Sequence, residues 1–180
     1  MLRYIRFVSG VSILVLAIIS GGLACRGNKE LREKEASEKK LREKYAGKLG
    51  VKEKEIENLK LYSFVDEWYG TPYKYGGKTK SGIDCSDFVS TLQLNVYGKK
   101  IYPPASSMYE KCDRVSEKNL DEGDLVFFKI DSDKVSHVGV YLQNGCFIHA
   151  SSKKGVVISR LDDDYYKKHF YKGGKVPLKT

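Results

Sequence analysis

The sequence predicts one mixed domain of helices followed by antiparallel strands, carried behind an export signal and a charged stalk. Three observations carry this. Leu61, Phe64, Val65 and Trp68 recur at i, i+3, i+4 and i+7, an apolar stripe of helical period. Phe88, Val89, Leu92 and Val96 mark a second helix face, which Gly98 ends. Residues 135–142 and 146–151 then read as two strands joined across Gln143-Asn144-Gly145. A chain of 180 residues has room for one domain of ordinary size plus accessory segments.

The N-terminus reads as an address. Arg3 and Arg6 make a basic start, residues 7–24 carry no charge, and the small residues Ser20-Gly21-Gly22 precede Leu23-Ala24-Cys25. This order of basic, apolar and small predicts a signal peptide over residues 1–24. The position of Cys25 resembles that of a bacterial lipobox cysteine, acylated to become the mature N-terminus; Ala24 fits that pattern, while Gly22 stands where an aliphatic residue is usual. An uncleaved anchor is the alternative, since 18 uncharged residues are just enough to span a bilayer. Both readings place the rest of the chain outside the cytoplasm. Lipid on Cys25 would tie it to a membrane, in a diderm cell the outer membrane or a periplasmic face.

The net charge of +9 is unevenly placed. Residues 26–60 hold 12 Lys/Arg against 8 Asp/Glu, whereas residues 61–180 hold 18 against 15. The basicity therefore sits in a stalk, residues 25–50, which favours an anionic surface such as headgroups or wall polymer. Leu49-Gly50-Val51 has a faint likeness to the turn of a DNA-reading helix pair, but export removes nucleic acid as a partner and leaves a helix entry. Along the stalk Glu30-Lys34, Glu35-Lys39 and Glu38-Arg42 are acid-before-base pairs four apart, so it is expected to be a solvated helix or a tether that Gly47 and Gly50 break. A lead-in helix over residues 52–69 is predicted next, stopped by Gly70 and Pro72, and opens a domain spanning 51–180.

The chemistry is expected beyond Pro72. A glycine-rich loop with tyrosines, Tyr73-Lys74-Tyr75-Gly76-Gly77, leads to Gly82-Ile83-Asp84-Cys85-Ser86 and the second helix. Cys85 thus falls at a helix N-terminus, whose N–H groups and dipole favour a thiolate and lower the thiol pKa. A small buried hydrophobe is the plainer role of a lone cysteine; the glycines and the helix start favour a reactive thiol. Two of the three histidines, His137 and His149, lie on the paired strands. A two-residue turn at 144–145 would put them on opposite faces. A three-residue loop with Gly145 left-handed pairs 142 with 146, hence 139 with 149 and 137 with 151, and makes the histidines diagonal neighbours roughly 7–8 Å apart at the backbone. With that odd loop, His137 would take the proton of Cys85 and His149 would hold the His137 ring in its working tautomer. Zinc is the weaker reading, because these three residues lack ligand spacing and a fourth ligand, and no metal is expected. His169 is read as structural. Cys112 and Cys146 are either a disulfide or two separate thiols.

From about Leu61 to Leu178 the chain resembles the NlpC family of cell-wall cysteine peptidases. The resemblance rests on Gly70-Thr71-Pro72-Tyr73-Lys74-Tyr75-Gly76-Gly77, Gly82-Ile83-Asp84-Cys85-Ser86, Gly123-Asp124-Leu125-Val126-Phe127-Phe128, His137-Val138-Gly139-Val140-Tyr141 and Phe147-Ile148-His149-Ala150-Ser151, in that order. It implies a papain-like α+β fold, with helices packed on a central antiparallel sheet of about five strands. The family's nucleophile, base and orienting residue fall on Cys85, His137 and His149, and its active-site tyrosine on Tyr73; Tyr73 and Ser86 are the expected oxyanion and substrate contacts. The implied reaction is hydrolysis of amide bonds in peptidoglycan stem peptides or their cross-links by a monomer without cofactor. Two departures stand out. Asp87 follows Cys-Ser where the family often has glycine, and Pro104-Ala105-Ser106 lacks the arginine common in the next loop. Rival readings are an acyltransferase or amidase on the same thiol fold, and a non-catalytic peptidoglycan-binding lipoprotein.

Overall fold

The computed structural model describes residues 11–177, with side chains from residue 28 onward. The expected basic start, the signal-peptide side chains and the acylated Cys25 thus lie outside the described residues. Among the described residues no helix is long and apolar enough to cross a membrane.

Helix α1 runs Val11–Leu49 and continues through Gly47; it stops only at Gly50, whose φ of 66° is left-handed. Side-chain pairs along its exposed part include Lys29–Glu33, Lys34–Glu38 and Lys39–Glu43 at 3.7–3.9 Å. These are base-first pairs, the less favourable order on a helix, and their exposure makes each worth little. The last turns behave differently. Tyr45, Ala46 and Leu49 are buried in the main core, and the Tyr45 hydroxyl donates to Asp66 Oδ1 at 2.9 Å. The stalk therefore merges with the domain before residue 50.

The expected lead-in helix is shorter than 52–69. A 3-10 turn occupies Glu53–Glu55, and helix α2 covers Leu59–Trp68. The Asn58 side chain accepts from the Leu61 amide at 3.1 Å and so caps α2 where it begins. Leu61, Phe64, Val65 and Trp68 are all buried, as their spacing required. Two short strands, β1 (Lys78–Thr79) and β2 (Gly82–Ile83), form a hairpin that leads into helix α3, Cys85–Tyr97, ended by left-handed Gly98. Helix α4 spans Ala105–Lys111.

Six strands make the main sheet: β3 (Asp113–Val115), β4 (Leu125–Phe128), β5 (His137–Tyr141), β6 (Cys146–Ser151), β7 (Gly155–Arg160) and β8 (Phe170–Lys175), with helix α5, Asp164–His169, before the last. Their order is β3-β8-β4-β5-β6-β7 and every pair is antiparallel. The α+β class is as expected, with six strands rather than about five. The extra pairing comes from β8, which inserts between β3 and β4. Its Gly173 and Gly174 carry no side chain, and an added Cβ would meet Leu120 at 2.6 Å and Cys112 at 2.8 Å. A strand packed that closely has no apolar alternation to show.

Val138, Val140, Ile148 and Ala150 belong to the main core, where β5 and β6 pack against α3. Val126, Phe128, Phe147 and Leu161 form a smaller cluster, with Tyr166 of α5 packed against it. Cys85, Cys112 and Cys146 are separate buried thiols.

Gly155 pins β7 to the loop before the site. Its φ is +72°, and an added Cβ would stand 2.3 Å from the Thr71 carbonyl oxygen, which accepts from the Val156 amide at 2.8 Å. Gly155→Ala is therefore expected to cost on the order of 3 kcal/mol, from a left-handed φ plus a backbone that must move. Urea unfolding checks it.

Candidate active site

Asp84 is the N-cap of α3, with extended backbone. Its Oδ1 accepts from the Asp87 amide at 2.8 Å and from the Ser86 hydroxyl at 3.0 Å, and its Oδ2 accepts from the Gly76 amide at 3.0 Å. One buried carboxylate thus closes the helix start and ties the glycine loop to it. This is what presents Cys85 at the first turn. Asp84 was not among the expected site residues, although an aspartate just before a helical stripe is a capping signal.

Cys85 is 8% exposed, and the backbone amides of Val138, Ser86 and Cys85 itself favour its thiolate. These do not produce the lowered thiol pKa expected from the helix start. Burial outweighs them and pushes the thiol up to about 11.

The hairpin has the odd-length loop that the pairing of the histidines requires. Tyr141 pairs with Phe147 and Val140 with Ile148, and the Leu142 amide donates to the Cys146 carbonyl at 2.9 Å. Both Asn144 and Gly145 have positive φ, 50° and 74°. Carried on, this register sets Gly139 opposite His149. A Cβ on Gly139 would come 2.7 Å from the Phe147 ring and 3.2 Å from His149 Cβ, so the glycine makes the space in which the imidazoles meet. His137 Nε2 and His149 Nδ1 are 2.8 Å apart, with the rings at 89°. With Nε2 engaged, Nδ1 is the remaining ring nitrogen of His137.

His149 is 1% exposed, and its Nε2 lies 3.1 Å from both the Ser159 and Tyr166 hydroxyls. Burial pushes His137 down to about 4 and His149 well below the usual histidine value. Folding therefore excludes protons that an unfolded histidine binds below about pH 6.5. Stability is complete above that pH and is lost as pH falls toward 4. Denaturant unfolding at pH 7.5, 5.5 and 4.5 is expected to show this decline, and His137→Gln is expected to flatten it.

Tyr73, Cys85, His137 and His149 line one cleft together with Lys153, Lys154, Tyr165 and Tyr166. Tyr73, Cys85 and Ser86 also border a second lobe, shared with Asp87, Pro104, Ala105 and Ser106. Ser86 is the one expected contact whose hydroxyl is already committed, to Asp84. The family departures at Asp87 and Ala105 meet in that lobe. His169 lies apart, its Nδ1 donating to the Lys129 carbonyl at 2.8 Å. Among the described residues no three His, Cys, Asp or Glu side chains are grouped to hold a metal ion.

A thiol at a helix start, sharing a cleft with a half-buried imidazole hydrogen-bonded to a buried one on an α+β frame, defines the cysteine-hydrolase class. Within that class, the chain belongs to the NlpC/P60 family, whose model matches residues 70–175. It is 32% identical to the murein DD-endopeptidase MepS/murein LD-carboxypeptidase of Escherichia coli, over 97% of this chain and 94% of that one. It is 39% identical to a probable endopeptidase NlpC homolog of Haemophilus influenzae, over 64% of this chain and 61% of that protein, so the match leaves more than a third of that relative unspanned. An NlpC/P60 family crystal structure from Bacillus cereus superposes with a TM-score of 0.60 at 27% identity, covering 65% of this chain and 39% of that one.

Proposed function

We propose that this protein is an extracytoplasmic cysteine peptidase that hydrolyses amide bonds in peptidoglycan peptides, with Cys85 as nucleophile, His137 as base and His149 as the residue that orients it. The observation that carries this is the pairing of His137 Nε2 with His149 Nδ1 at 2.8 Å in the wall of the cleft that holds Cys85. The relative with nearly full coverage, a murein endopeptidase, supports the substrate class.

Loss of solvent around the Cys85 thiol and the half-buried His137 imidazole favours the neutral form of each. Proton transfer from Cys85 Sγ to His137 Nδ1 therefore accompanies attack on the scissile carbonyl rather than preceding it as a standing ion pair. In this reading the Cys85 amide and the Tyr73 hydroxyl stabilise the oxyanion. Burial and the neighbouring Cys85 raise the Tyr73 pKa, which keeps its hydroxyl a donor. His137 then protonates the leaving amine, and water releases the acyl-enzyme.

The two lobes differ in charge. One wall carries Lys153 and Lys154, whereas the other lobe carries Asp87, whose Oδ1 is 3.9 Å from Lys78. This suits a peptide bearing carboxylates on one side of the scissile bond and an amine on the other. A lipid on Cys25 would hold the enzyme at a membrane, facing the wall.

Digestion of purified peptidoglycan with reduced protein, followed by mass spectrometry, tests the reading. Cross-linked dimers converted to monomers assign a DD bond; loss of a terminal residue assigns an LD bond. An unchanged fragment profile refutes peptidase action.

A further inference from the structure

His149 ends in two hydroxyls from separate elements, and the mechanism so far makes no use of them. Ser159 lies on β7, where it pairs with Phe147 and so stands diagonal to His149 on the same sheet face. Tyr166 comes from α5 and packs edge-on to the His149 ring at 5.3 Å between centroids. Both oxygens are 3.1 Å from the same nitrogen, Nε2.

We propose that Ser159 and Tyr166 are positioning residues that together accept the His149 Nε2–H and thereby fix the proton order along the whole His149–His137–Cys85 chain. The geometry has a direction. A bare ring nitrogen has one lone pair and accepts from one hydroxyl, whereas an N–H can be shared between two oxygens. Two oxygens at equal distance thus fit a protonated Nε2. Its Nδ1 then holds a lone pair and accepts from His137 Nε2–H across 2.8 Å. That leaves His137 Nδ1 unprotonated and able to take the thiol proton. The opposite order is inactive: a proton on His149 Nδ1 would turn His137 Nε2 into the acceptor and place the His137 proton on Nδ1, facing the thiol it must deprotonate.

The order also survives the reaction. When His137 becomes imidazolium, both its nitrogens carry protons, and only an acceptor at His149 Nδ1 can receive the second. Ser159 and Tyr166 hold that acceptor in place without carrying charge. A carboxylate in their position would stabilise the imidazolium electrostatically; two neutral hydroxyls set only the tautomer.

This rests on the proposed peptidase reading, and its test separates the two. In full-length, 15N-histidine-labelled protein, long-range 1H–15N spectra report which nitrogen of each ring bears the proton. His149 is expected on Nε2–H and His137 with an unprotonated Nδ1. The S159A/Y166F double variant is expected to populate the His149 Nδ1–H form, and to lose roughly 100-fold in kcat with KM within about twofold, against roughly tenfold for either single change. Ser159→Thr, which keeps a hydroxyl, is expected to retain the unmutated tautomer and rate. A folded double variant with unchanged ring tautomers, or an unmutated protein with His149 protonated on Nδ1, overturns the proposal. Absence of turnover in the unmutated protein overturns the peptidase reading instead, and the ring spectra remain readable.

Discussion

Cys85→Ala is expected to leave the chain folded and to abolish release of peptidoglycan fragments, with a rate loss of at least about 10⁴-fold, since removing the nucleophile of a comparable hydrolase costs about 10⁶. The site explains why the two effects separate. The thiol is buried, but the packing around it involves the α3 helix start and the β5 backbone, which alanine leaves untouched. The Asp84 cap bonds backbone groups and Ser86, not the sulfur. His137→Ala is expected to lose a similar amount, and the double variant no more than either single one, because the two side chains act as a unit. Rates from fragment release and a thermal unfolding curve for each variant check all three statements. An active Cys85→Ala protein would remove the thiol mechanism altogether.

The second large effect concerns stability. Removing residues 1–27 is expected to leave the melting temperature unchanged, whereas removing residues 1–50 is expected to cost more than about 5 kcal/mol, a large part of the 5–15 kcal/mol that holds an ordinary domain. The longer deletion takes Tyr45, 0% exposed, and Leu49, 1% exposed, out of the main core. Losses of about 2–5 kcal/mol are usual for each large buried side chain. It also removes the acceptors of Asn144, whose Nδ2 donates to the Leu49 carbonyl at 2.8 Å, and leaves Asp66 without Lys44 and Tyr45. Asn144 belongs to the loop of the β5–β6 hairpin that carries both histidines. The long deletion therefore reaches the site as well as the core. Paired thermal melts and fragment-release assays of the two truncations test this.

Much of this was legible in the chain because it depends on near neighbours in sequence. The helical stripes at 61–68 and 88–96 follow from a 3.6-residue period, and both faces are buried. The two strands were legible, but Asn144-Gly145 suits a two-residue turn as well as a three-residue loop; the structure has the three-residue loop, and that register decides that His137 and His149 share a face. The sixth strand was not legible. Phe170–Lys175 shows no alternation, and it is held by backbone pairing to β3 and β4, which lie more than 40 residues earlier. The stalk boundary escaped for a related reason. Gly47 weakens a helix in isolation, but burial of Tyr45, Ala46 and Leu49 on either side of it carries the helix through.

By itself, then, the sequence determined the two helical stripes, the position of Cys85 at a helix start and the strands that carry His137 and His149, all of which are set by local period and turn chemistry; the structure decided the loop length, and with it the face on which the histidines meet. Only the tertiary structure decided the protonation environment. Whether a helix-start thiol is lowered or raised depends on how much water surrounds it, and here burial raises it. Which hydroxyls reach His149 depends on where β7 and α5 pack, and no spacing along the chain encodes a distance between side chains brought together by the sheet.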